Sequence, residues 1–193
     1  MKIDYTPQLD FNNVLIRPKR TVLNSRSQVD MEREFKFPHS KQVWKGVPII
    51  AANMDTTGTF GVYDVLAKHN MITSLHKFYN EDDFIERMAT KNLNPNNFMI
   101  STGINFNNIE QLKNIINRTK AKWLCIDVAN GYSELFVNYV KQFREEYPHV
   151  VIIAGNVVTA DQTQELILNG ADIVKVGIGP GSVCTTRIQT GVG

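Results

Sequence analysis

Cys184 stands in GIGPGSVCTTRIQTGVG, residues 177–193, with Ser182, Thr185, Thr186 and Arg187 as near neighbours. A thiolate is a strong nucleophile, and cationic charge beside it lowers the pKa that controls its formation. A lone cysteine is ordinarily an inert small hydrophobe, but these polar neighbours argue against burial in an apolar core. Covalent catalysis is the chemistry such a loop suits. The glycines at 177, 179 and 181, with Pro180, suggest a backbone whose carbonyls converge, and converging carbonyls bind a desolvated monovalent cation. The same glycines match a dinucleotide fingerprint only in part, because the third spacing fails. No GK[ST] is present, which excludes a Walker phosphate loop.

Other polar residues close short apolar runs. Asn53-Met54-Asp55, His76-Lys77, Ser101-Thr102-Gly103, Asp127 through Gly131, Gly155-Asn156 and Gly177 onward each follow one. A single polar run end is a cap or a turn; six together form a rim, and a rim is a candidate site. Lys77 reads either as a site cation or as a lysine reaching solvent. Asp127 reads as an acceptor for a ribose hydroxyl or an amide, or as a turn former. Asn53 and Asp55 read equally as starters of the next helix.

The elements that must carry these residues repeat. VPIIAAN from Val47, MITSLH from Met71, FMISTG from Phe98, WLCIDV from Trp123, VVIIAG from Val150 and DIVKVG from Asp172 have the bulk of strands buried on both faces. Between them lie amphipathic helix patterns, with Asn80, Asn107, Ser133 and Thr159 at their starts and Gly170 as a stop. In the helix after Ser133, Leu135, Val137, Val140 and Phe143 are expected to face the core. Strand starts are 24, 27, 25, 27 and 22 residues apart. That βα period implies a parallel sheet with right-handed crossovers. The even spacing and the weak fingerprint favour a closed (β/α)8 barrel over an open doubly wound sheet. Residues 1–46 read as an N-terminal arm, with VDMEREFKF as a strand and PKRTVLNSRS as a loop, and 47–193 as an incomplete barrel. Six strands and five helices fit here, whereas a barrel has eight of each over roughly 250 residues. The expectation is part of a longer barrel; a complete six-stranded open sheet is the alternative.

The totals exclude several classes. Apolar and charged fractions of 42% and 21% over 193 residues are those of a globular protein. A net charge of +2 makes no case for nucleic acid, and the cluster Arg17-Pro18-Lys19-Arg20 reads as a solvated arm. No run is long enough for a membrane span, and the N-terminus has no signal core, so a cytoplasmic protein is expected. Cys125 lies in an apolar run and Cys184 in a polar loop, which makes a disulfide a poor guess. His39, His69, His76 and His149 form no metal motif.

GSVCTTR, with FNNVLIRPKR, SRS at 25–27, GVPIIAANMDTTGTF, IDVANGYS, AGNVVT and the final TGVG, resembles the family of inosine monophosphate dehydrogenases and guanosine monophosphate reductases. The reductase branch matches better, because no regulatory insert separates Lys91 from Phe98. The resemblance runs from about Asp10 to Gly193. It implies a TIM-type barrel in which Cys184 attacks purine C2, ammonia leaves to give a thioimidate, and a hydride from NADPH yields IMP. It implies that Thr186 is the relay threonine, its glutamate partner having no counterpart in these residues. Gly179, Gly181, Cys184 and Arg187 match the family's potassium ligands. Lys77, Asp127, Val128, Ala129, Ile178 and Gly179 match positions that meet NADP(H). Ser25 and Arg26 match an arm that reaches a neighbouring subunit's cofactor, in a homotetramer when full length. GMP and IMP are the implied partners. The dehydrogenase and a non-catalytic nucleotide-binding fragment are the rivals.

Overall fold

The computed structural model describes residues 3, 5–105 and 109–193. The helix start expected at Asn107 lies outside them. The chain comprises two compact units, residues 1–30 and 31–193. The first is mostly irregular, with 3-10 turns at Phe11–Asn13 and Arg26–Gln28. Ser25 starts the second turn in a reciprocal capping box with Gln28.

The second unit opens with an antiparallel hairpin, β1 (Arg33–Lys36) and β2 (Val43–Gly46). Six parallel strands follow: β3 (Ile50–Ala51), β4 (Ile72–Leu75), β5 (Phe98–Thr102), β6 (Trp123–Asp127), β7 (Val151–Val157) and β8 (Ile173–Val176). Each pairs with the next, in the order β3-β4-β5-β6-β7-β8. A doubly wound sheet would reverse its order at a switch point. The unbroken order makes a curled half barrel, as the even βα period implies. The crossover helices are α1 (Phe60–Leu66), α2 (Glu81–Thr90), α3 (Ile109–Thr119), α4 (Glu134–Glu146) and α5 (Ala160–Leu168). A sixth, α6 (Thr186–Thr190), starts two residues after Cys184, and no sequence periodicity announced it. Among the described residues, no helix is long and apolar enough to cross a membrane.

Helix starts follow local side-chain chemistry. Asn80 and Asp83 form a capping box on α2, while Ser133 and Thr159 cap α4 and α5. α1 is capped by Thr59, so Asn53 and Asp55 are not its caps. Gly170 ends the α5 turn at φ +107°, where a Cβ would also lie 2.6 Å from Arg144 Cγ; both conformation and space require glycine there. On α4 the buried stripe is Phe136, Tyr139, Val140 and Phe143. Leu135, expected in the core, is exposed, because the stripe is centred one residue later.

The period of two along each strand divides the core into two layers. Phe98, Ile100, Leu124, Ile126, Ile152 and Ala154 pack outward against the helices. Ile72, Met99, Trp123, Cys125, Val151 and Ile153 pack inward with Phe37 and Trp44 near the hairpin. The hairpin thus supplies the apolar floor of the half barrel. Farther along the strands the inward positions turn polar: Ser74 and Ser101, whose buried hydroxyls are 2.9 Å apart, then Asp127 and Lys175. Chemistry is therefore concentrated at the carboxyl ends of the strands.

Asp172 ties the hairpin turn to the sheet. Its side chain is fully buried. It accepts from the backbone N–H groups of His39 (3.0 Å), Ser40 (3.2 Å) and Ile152 (3.2 Å), and from Arg144 at 2.7 Å. Burial pushes the Arg144 guanidinium down, and Asp172 opposes that shift.

Candidate active site

The strand ends and following loops surround a cleft of about 1130 Å³. It brings together Lys77, Asp127, Val128, Ala129, Ile178, Gly179, Cys184 and Thr186, residues that stand as far as 109 positions apart in sequence (186 − 77). Gly181 and Arg187 belong to the same loop and helix start. Ser25 and Arg26 belong to the first unit, both exposed.

Cys184 is exposed, and its Sγ lies 3.3 Å from Thr186 Oγ1. Hydrogen bonds from the Thr186 hydroxyl and then its backbone N–H hold the thiol pKa below the ordinary value, and the charge of Arg187 adds to them. The turn is local: Cys184 N–H donates to Gly181 O at 3.0 Å. Arg187 Nε donates to Ile178 O at 2.8 Å, anchoring the start of α6 against the loop. Gly179 has φ +59°, and a Cβ there would lie 3.1 Å from Arg187 Cγ and 3.3 Å from Arg187 N. Glycine thus permits both the turn and the close approach of the helix.

Cys125 contrasts with it. It is buried on β6, and burial pushes its thiol up. Iodoacetamide is therefore expected to label Cys184 and spare Cys125 in the native chain. Thr186→Val removes the hydroxyl donor, so the Cys184 pKa rises and less thiolate is present at neutral pH. Labelling should slow several-fold, with its pH profile displaced upward. Mass spectrometry across pH checks this, and an unmoved profile removes Thr186 from control of the thiol.

Lys77 is exposed, with Nζ 5.7 Å from the Phe78 ring centroid. Behind it His76 stacks on Tyr79 at 4.0 Å, and Tyr79 on Phe60 at 4.2 Å, giving one wall a stiff aromatic backing. Asp127 is ion-paired with Lys175 and accepts from Asn53 Nδ2 at 3.0 Å. Val128 lies between two backbone bonds to β7: its N–H donates to Gly155 O at 2.8 Å, and its carbonyl accepts from Asn156 N at 2.9 Å. Asn156 Nδ2 donates to Gly177 O at 2.8 Å, which fixes the beginning of the cysteine loop.

Lys175 is the site residue that sequence reasoning missed. The signal was present: a lysine inside the apolar run DIVKVG, in a strand expected to be buried on both faces.

A family model described as IMP dehydrogenase / GMP reductase domain matches residues 8–193. The GMP reductase of Yersinia enterocolitica is 53% identical over 197 residues, covering all of this chain and 56% of that protein. Human GMP reductase 1 is 51% identical over 194 residues, with the same two coverages of 100% and 56%. The chain spans about half the length of the curated relatives it matches. The crystal structure of inosine 5' monophosphate dehydrogenase from Legionella pneumophila superposes with a TM-score of 0.78 at 28% identity, covering 96% of this chain and 55% of that one.

Proposed function

The chain belongs to the IMP dehydrogenase/GMP reductase family, and from that premise we propose that its protein is an NADPH-dependent GMP reductase, forming IMP and ammonia. The observation that carries the proposal is the exposed Cys184 thiol, 3.3 Å from the Thr186 hydroxyl, on a cleft that also holds Lys77 and Asp127. Identities of 53% and 51% to proteins named GMP reductase, against 28% to a dehydrogenase, favour the reductase over its sister activity.

In this mechanism the Cys184 thiolate adds to C2 of the purine. The 2-amino group leaves as ammonia after gaining a proton, and a thioimidate remains on the sulfur. Bound NADPH supplies the hydride that C2 accepts; the sulfur then departs with its electron pair, releasing IMP. Thr186 serves the first half, because an amine is a poor leaving group until protonated. Lys77 and the Asp127–Ala129 segment contact the dinucleotide, as do Ile178 and Gly179. Ser25 and Arg26 reach a neighbouring subunit's cofactor in a homotetramer.

The donor set also fits a potassium ion. Gly179, Gly181, Cys184 and Arg187 offer neutral carbonyls. Gly181 O accepts one backbone bond, at 3.0 Å, which leaves a second lone pair. Such an ion would order the loop that presents the thiol.

The test is GMP-dependent loss of NADPH absorbance by the protein expressed from its complete gene. NAD reduction with IMP, and no GMP-dependent signal, would instead identify a dehydrogenase. With Thr186→Ala, reverse hydride transfer from IMP to NADP should fall less than GMP reduction. Equal losses, assayed side by side, would remove Thr186 from the deamination half.

A further inference from the structure

We propose that Lys175 and Asn53 are positioning residues for Asp127, fixing its carboxylate as the acceptor that reads the dinucleotide; this rests on the reductase reading above. Three strand ends meet at the network: Asn53 just after β3, Asp127 at the end of β6 and Lys175 on β8. Lys175 Nζ pairs with Asp127 Oδ1 and donates to Asn53 Oδ1 at 3.2 Å. Asn53 Nδ2 donates to Asp127 Oδ2 at 3.0 Å. The circuit is closed, since each side chain is held by the other two.

The strand register shows how distant residues come to touch. Asp127 is paired with Gly155 on β7, and Gly155 with Lys175 on β8. The aspartate and the lysine therefore flank an intervening strand, and they meet across the one position there that has no side chain. A Cβ on Gly155 would lie 2.6 Å from Lys175 Cβ and 2.5 Å from Lys175 O. Glycine at this point leaves the lysine room to lean over β7 toward the carboxylate.

The network keeps capacity for a ligand. A carboxylate offers about four acceptor sites and an ammonium three protons. Two acceptor sites on Asp127 and two protons on Lys175 are used within the triad. The Lys175 and Asp127 side chains are 29% and 32% exposed, and both line the cleft. A partly exposed ion pair adds little to stability. Holding an acceptor in one geometry before a ligand arrives is the use that this arrangement serves.

The experiment uses the protein from its complete gene, with KM for NADPH, KM for GMP, kcat and Tm measured together. Lys175→Met should raise the NADPH KM roughly tenfold while the GMP KM stays within about threefold. Lys175→Arg should restore most of the loss. In an Asp127→Asn background, Lys175→Met should add little, because residues acting through one another are not additive. Full additivity would overturn the inference, as would a lowered Tm with an unchanged NADPH KM. Should Lys175→Met fail to fold, Asn53→Ala is the milder probe: a rise of about threefold in NADPH KM is expected, and no rise overturns the proposal. A wild-type protein that oxidises no NADPH with GMP overturns the reductase reading itself, and this inference with it.

Discussion

Cys184→Ala is expected to abolish GMP-dependent NADPH oxidation in the protein expressed from its complete gene, by at least about a thousandfold, or about 4 kcal/mol of barrier. Without the sulfur there is no covalent intermediate, and direct displacement of an amine by hydride is the alternative. Alanine should leave the fold intact. Cys184 is exposed, and the hydrogen bonds of its side chain run to Thr186, to the hydroxyl and the backbone N–H. The Gly181–Cys184 turn is a backbone bond that alanine keeps. Steady-state kinetics and a thermal scan, run on the same preparation, check both halves. A variant that keeps more than about a tenth of wild-type turnover would rule out covalent catalysis, since a chemical step losing its nucleophile cannot survive at that level.

Asp172→Asn is expected to cost about 3–5 kcal/mol of stability, the usual range for breaking a buried pair from one side. The substituted amide cannot accept from all four donors now satisfied: three backbone N–H groups and the Arg144 guanidinium. Arg144 would be left largely buried without its counter-charge, its side chain being 13% exposed. For a domain of this size the loss should lower Tm by roughly 10 °C. The effect on the cleft should be smaller, because Asp172 lies at the opposite end of β8 from the cysteine loop. Adding Arg144→Met should cost less than it does alone, since the partners share one interaction. Thermal unfolding of the single and double variants measures this. A Tm within two degrees of wild type would show that the hairpin turn is held without Asp172, by its apolar contacts and by bonds such as that between the His39 ring and Ile167 O.

Much of the fold was legible because strands buried on both faces must be nearly all apolar. That requirement made β4 to β7 visible; the runs that became β3 and β8 have the same apolar bulk, yet the structure leaves those two strands half-buried or exposed. Caps at Asn80, Ser133 and Thr159 followed from side chains that satisfy helix N–H groups. β2 was not legible. VWKG alternates buried and exposed residues over only four positions, and the connection before it carries no Asn-Gly or Asp-Gly signal. α6 was hidden for a related reason: five exposed or half-buried residues have no apolar stripe to show.

The candidate site divides in the same way. Cys184, Thr186 and the glycines around them lie within eight residues, 179–186, so sequence alone determined that a nucleophile, a hydroxyl and flexible backbone share one loop. Sequence also determined that polar residues end every strand. Which of those residues meet is a matter of register, and register belongs to the folded sheet. Asn53 read equally as a rim residue and a helix starter, Asp127 as a ribose or amide acceptor or a turn former, and Lys175 was one lysine in an apolar run. Only the parallel pairing of β6, β7 and β8, with Gly155 between the two charged residues, and the curl that carries β3 around to β8, turned three separate polar residues into one closed network. Contacts between residues 122, 74 and 48 positions apart leave no trace in local periodicity, because the forces that set strand and helix act over a few residues, whereas these contacts form only once the sheet has curved.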